Sequence, residues 1–194
     1  MDNYKLNGIG KFEGGEFFNV TINGVGTLIN DLNCENLDIN GMFKSKGMIK
    51  TKNKIDINGS AKFIENVKCS DLTLQGSAKF EKNLEAENVK IEGLLTVDGE
   101  LNVGNIEISS TCFSIKELHA DTILINDLYK MRTFTKMYEI GEVECTSIEA
   151  NALKCKKISA SHVKLGKNVE IELVEYSESI DIDPRANVKE IRKV

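Results

Sequence analysis

The chain has 194 residues, 41% of them hydrophobic, with no Trp, a single Pro (Pro184) and a formal net charge of −5. That acidic balance argues against nonspecific nucleic-acid binding, which depends on a basic surface. No apolar run approaches the roughly 18 residues of a membrane span, and Met1-Asp2-Asn3-Tyr4 lacks the basic, apolar and small-residue order of a signal peptide, so a cytoplasmic location is expected, with peripheral membrane contact left open.

A short phrase first occurs as Tyr4-Lys5-Leu6-Asn7-Gly8 and returns along the chain: two apolar residues bracketing one other, then a spacer, then usually Gly. Clear copies start at Val20, Leu37, Ile55, Leu72, Val89, Ile106 and Ile123, in steps of 17, 18, 17, 17, 17 and 17 residues. Self-similarity at a fixed short period marks a solenoid, and this period is too short for two-helix repeats of about 33 to 47 residues. Before each phrase comes a second apolar pair, for example Val67 with Cys69 and Leu84 with Ala86, and after it a third, Ala78 with Phe80 and Leu95 with Val97. Pairs spaced by two, separated by corners, are the mark of a strand, corner, strand path, because strand side chains alternate faces. The expected fold is therefore all-β: a single-stranded β-helix with three-sided coils of about 17 residues. The 15 glycines cluster in the first two thirds, where each is expected to mark a corner that needs positive φ.

Within this stack Phe12, Phe17 and Phe18 are unusually concentrated for an aromatic-poor chain. A terminal coil must cover its open apolar end, which makes capping or assembly their expected role. Lys44, Lys46, Lys50, Lys52 and Lys54 fall mostly at alternate positions; this places several on one outward face and nominates them as a partner-binding surface, unless carboxylates on neighbouring coils neutralise them. Cys34 and Cys69 share a column with Thr51, Ala86, Val103 and Ala120. Two coils at about 4.8 Å each separate them by about 10 Å, beyond the reach of a disulfide. The odd count of five cysteines argues against a disulfide framework, and Cys34, Cys69, Cys145 and Cys155 read as packing residues of the core.

The register breaks at Leu128, and residues 128–142 read as an irregular connection or loop. Pairs then resume at a five-residue step: Val143 with Cys145, Ile148 with Ala150, Leu153 with Cys155, Ile158 with Ala160, Val163 with Leu165. Residues 143–194 read as a second block of coils of about fifteen residues. The charged end after Pro184, with Val188, Ile191 and Val194, is expected to be a last strand or a short capping helix, and a second place for assembly.

No catalytic constellation is visible. His119 and His162 are the only histidines, with no CxxC or HExxH pattern beside them. Gly8-Ile9-Gly10 and Gly24-Val25-Gly26 do not continue as GxGxxG. An acyltransferase on a left-handed coil would show an aliphatic residue every six positions, which this chain does not. No catalytic residue, cofactor or metal is expected.

The Gly-ended phrases with their 17-residue step, and the Gly-Ser-Ala-Lys-Phe copies at 59–63 and 76–80, resemble the bactofilins, bacterial polymer-forming cytoskeletal proteins. The resemblance covers roughly residues 4–127. It implies a right-handed coil and end-to-end assembly into filaments without nucleotide, with a scaffolding role toward cell-shape or envelope proteins. Two departures are the near absence of Pro-rich tails and the block from 140 to 194, which has no counterpart in a short bactofilin core. The leading expectation is a non-enzymatic scaffold that self-associates through its β-helix ends, organised as 1–127, 128–142 and 143–194. The alternative is a monomeric or dimeric adaptor that binds a protein or cell-envelope ligand.

Overall fold

The structure, a computed structural model, describes residues 1–110, 112–126 and 137–194. Its described residues are all-β, a parallel β-solenoid of about 11 turns at a spacing of about 17 residues. Residues 128–136 of the predicted connection, with residue 127 before them, lie outside the described residues, whereas 137–142 belong to the strand Met137–Ile182.

Three parallel ladders run along the stack, one for each side of a coil. The first pairs Phe12, Leu28, Ser45, Phe63, Phe80, Val97, Ile115 and Ile140 in succession. On the second, Leu32, Ile49, Val67, Leu84, Leu101, Leu118 and Val143 follow one another. The third carries Leu6, Ile22, Ile39, Ile57, Leu74, Ile91, Ile108, Ile125 and Ala150. Because Leu118 pairs with Val143 and Ile125 with Ala150, the block from 143 continues the same stack.

The inward positions form one continuous apolar core from Phe12 to Val174. Side-chain size is balanced within the second to fifth coils of the first face. Gly26 accompanies Leu28, Phe43 accompanies Ser45, and Ala61 and Ala78 accompany Phe63 and Phe80. A large residue in one inward column is matched by a small one in the other, as close packing at nearly constant volume per layer demands. The rings consequently follow one another up the stack, with Phe43 and Phe63 edge to face at 6.0 Å and Phe63 and Phe80 stacked at 4.6 Å.

The 18-residue step between the phrases at Leu37 and Ile55 has a local cause. Cys34 pairs with Thr51 but Asn36 pairs with Lys54, a shift that inserts one residue at the corner between the second and third faces. Such an insertion is a β-bulge, absorbed where the strand already bends.

The glycines depart from expectation. Only Gly14 and Gly15 have positive φ. The corner glycines serve a steric role instead: a Cβ on Gly41 would lie 2.0 Å from the Gly24 carbonyl oxygen, and one on Gly59 would lie 1.9 Å from that of Gly41. At Gly24, Gly41, Gly59, Gly76 and Gly93 the corner stacks directly on the one before, and a Cβ there would meet the backbone beneath.

Candidate functional sites: the two ends and the outward faces

At the N-terminal end the strands Asp2–Leu6 and Ile9–Phe12 each pair on one side only among the described residues. Phe12 is buried and Tyr4 stacks on it at 4.6 Å, while Phe17 lies 5.6 Å from Tyr4 and stays half-buried. Phe18 points outward and is 45% exposed. The three phenylalanines therefore divide: Phe12 belongs to the core, Phe17 to the end of the stack, Phe18 to the flank.

At the other end, the segment after Pro184 forms the strand Asn187–Lys193 rather than a helix. It pairs with the preceding coil, Ile171 with Val188 and Val174 with Ile191, and its other edge has no partner among the described residues. Val188 is half-buried, Ile191 is 49% exposed and Val194 74%. Both ends thus combine an unpaired strand edge with partly exposed inward residues.

The five lysines at 44 to 54 all point outward, but their coil turns beneath them. Lys44 lies on the first face and Lys50 on the second, with Lys46 near the corner between, and Lys54 opens the third. Lys52 reaches Glu35 at 3.7 Å, and Lys54 pairs with Asp56 and reaches Asp38 at 3.9 Å. Among the described residues Lys44, Lys46 and Lys50 have no carboxylate within ion-pair distance.

A shallow groove of about 490 Å³ with a mixed polar and apolar lining runs over the third face beside Thr73, Lys90, Glu107 and Leu124. A second concavity of about 250 Å³ lies near the C-terminal end, lined by Lys154, Lys156, Glu170 and Glu172.

All five cysteines are free thiols. Burial, with help from nearby carboxylates, pushes Cys34, Cys69 and Cys145 up to about 12. Burial, with Glu142 nearby, likewise pushes Cys155 up to about 12, against the opposing pull of backbone hydrogen bonds at Lys157 and Lys156. A thiol in that state is a poor nucleophile and metal ligand. His119 points outward, 3.1 Å from Glu117 and 3.4 Å from Glu144. Among the described residues, no three His, Cys, Asp or Glu side chains are grouped to hold a metal ion, and no helix is long and apolar enough to cross a membrane.

These features define a class: a parallel β-solenoid whose two ends, among the described residues, leave a strand edge unpaired. Comparison with protein-family models, curated proteins and solved structures returns no match.

Proposed function

We propose that the chain is a non-enzymatic, self-associating scaffold that assembles through the ends of its solenoid without nucleotide. The observation that carries this reading is the pair of ends. Among the described residues Asp2–Leu6 and Asn187–Lys193 each leave one backbone edge unpaired, beside partly exposed Leu6, Phe17, Val188 and Ile191. Open strand edges template further pairing unless something blocks them. Contacts between unlike ends that do not close yield a filament, and contacts between like ends yield a dimer or a nonpolar filament. The bactofilin resemblance of residues 4–127 supports the same reading, and on it the scaffold would serve envelope or cell-shape proteins from a bacterial cytoplasm.

Negative-stain electron microscopy of the tag-free chain across salt and concentration tests it, beside light scattering in solution. Filaments or end-to-end oligomers are expected, and Val188→Asp with Ile191→Asp is expected to remove or shorten them. A chain that stays monomeric at every concentration would overturn the proposal in favour of an adaptor.

A further inference from the structure

On the first face, the outward positions of the first three coils form an unbroken apolar column, which Ser60 and Ser77 interrupt before a lone Leu94, 43% exposed, in a later coil. Ile9, Val25 and Met42 are consecutive register partners and stand 89%, 41% and 60% exposed. Beside them the second outward column reads Lys11, Thr27, Lys44, and then Lys62 and Lys79. The later lysines are neutralised from the next coil, Lys62 by Glu81 at 2.6 Å and Lys79 by Asp98 at 2.8 Å. The corner position that supplies those carboxylates is Ile29 for Lys11 and Ile64 for Lys44. Where the apolar column is exposed, the lysines are therefore left with no carboxylate within ion-pair distance among the described residues. The outward positions of these three strands contain no acidic residue at all.

Exposed apolar side chains beside unneutralised lysines on a flat strand face fit a surface that is anionic and yields to apolar groups. Three coils at about 4.8 Å by four residues at about 3.3 Å give a face of about 200 Å², against about 800 Å² that each partner of a stable protein complex buries. Ile9, Val25 and Met42 line neither of the concavities described above; they project rather than enclose. We propose that this face of the first three coils binds the surface of an anionic lipid bilayer, with Lys11 and Lys44 at the phosphates and Ile9, Val25 and Met42 inserted between headgroups. Each lysine near such a surface and each inserted apolar group strengthens partition. The net charge of −5 makes the local pattern decisive, because the chain as a whole is repelled. The inference goes beyond self-association and does not require it.

The test is flotation of the full chain with vesicles of phosphatidylcholine containing 30% phosphatidylglycerol, and with phosphatidylcholine alone. Assembly without lipid is scored separately by light scattering, so that the two proposals fail independently. Binding to the anionic vesicles only is expected, lowered about tenfold by Lys11→Glu with Lys44→Glu and similarly by Ile9→Ser with Met42→Ser. Reversal of Lys50 and Lys52, which lie off this face, is expected to leave it unchanged. All six positions are exposed, and circular dichroism of each variant verifies folding. The proposal is overturned if the native chain does not float, if either face pair leaves flotation unchanged, or if the control pair costs as much. Capture of a Glu- and Leu-rich peptide by this face in a chain that ignores vesicles would also overturn it and assign the face to a protein partner.

Discussion

The rings of Phe63 and Phe80 lie face to face, centroids 4.6 Å apart and planes within 9°, on register-paired positions of adjacent coils. Both are fully buried, and Ala61 and Ala78 beside them leave the space the rings occupy. Phe63→Ala therefore opens a cavity that neighbouring coils, fixed by their ladders, cannot close. The expected loss is about 3–5 kcal/mol, read from urea unfolding, while Phe18→Ala on the flank is expected within about 0.5 kcal/mol. Equal effects of the two would show that the inward stack does not hold the fold. Leu74→Asp, which places a charge at a fully buried rung of the third ladder, is expected to unfold or fragment the stack.

The glycine column makes a sharper discrimination. A Cβ on Gly59 meets the Gly41 carbonyl oxygen at 1.9 Å, whereas one on Gly8 meets nothing within 4 Å. Neither residue has positive φ, so the backbone conformation alone penalises neither substitution. Gly59→Ala must push two coils apart and is expected to cost several kcal/mol, on the order of other overpacked sites. Gly8→Ala is expected to be neutral or slightly stabilising, by reducing the freedom of the unfolded chain. Comparable thermal midpoints for the two variants would refute the steric role of the column.

How much of this was legible in the sequence follows from what periodicity records. The inward pairs, such as Leu72 with Leu74, were readable because alternation in a strand exposes one face and buries the other. The 18-residue step announced the insertion beside Asn36 and Lys54, though not that it is taken up as a bulge. The residue before the corner Gly read as a mere spacer. In the structure Asn23, Asn40 and Asn58 form a ladder there, each side-chain amide donating to the Asn one coil earlier, starting from Asn7, at 2.9, 3.0 and 3.1 Å. The recurrence of Asn at one rung was the available signal, since identical carboxamides stack only when repeats lie in register. The apolar column of Ile9, Val25 and Met42 escaped notice because its members are outward, and an inward-pair template discards the residues between pairs. Burial of the lysine strip's coil on different faces depends on where corners fall, which spacing alone does not locate.

The cysteines offer a chemical check on the core. With thiols at about 12, Cys34, Cys69, Cys145 and Cys155 carry a thiolate fraction of about 10⁻⁴ at pH 8, and Cys34, Cys69 and Cys155 are also sterically enclosed. A disulfide reagent such as Ellman's is expected to titrate at most one thiol, Cys112, within minutes on the folded chain, and all five after unfolding in guanidinium. Rapid reaction of two or more in the folded state would contradict the inward assignment of those columns.

Acid should loosen the last turn before it reaches the core. Asp183 accepts the Arg185 backbone N–H at 2.9 Å and the Arg185 side chain at 2.9 and 2.8 Å. Chiefly through the side-chain bond and then the backbone one, its carboxyl is held at about 2, down from an ordinary 3.8. A folded value below the unfolded one means that the contribution is present above the unfolded value and is lost as pH falls through the folded one, here between about 4 and about 2. Glu81, Glu92 and Glu175 are lowered in the same direction by Lys62, Lys90 and Lys157, so the native chain loses more than this one contact over the acid range. Asp183→Asn isolates the contact. The midpoint gap between native and variant chains should be open above pH 4, shrink toward pH 2, and narrow throughout in high salt, because the pair is exposed and screened. A gap that stays constant from pH 6 to pH 2 would mean that the charge on Asp183 does not hold the turn that launches Asn187–Lys193.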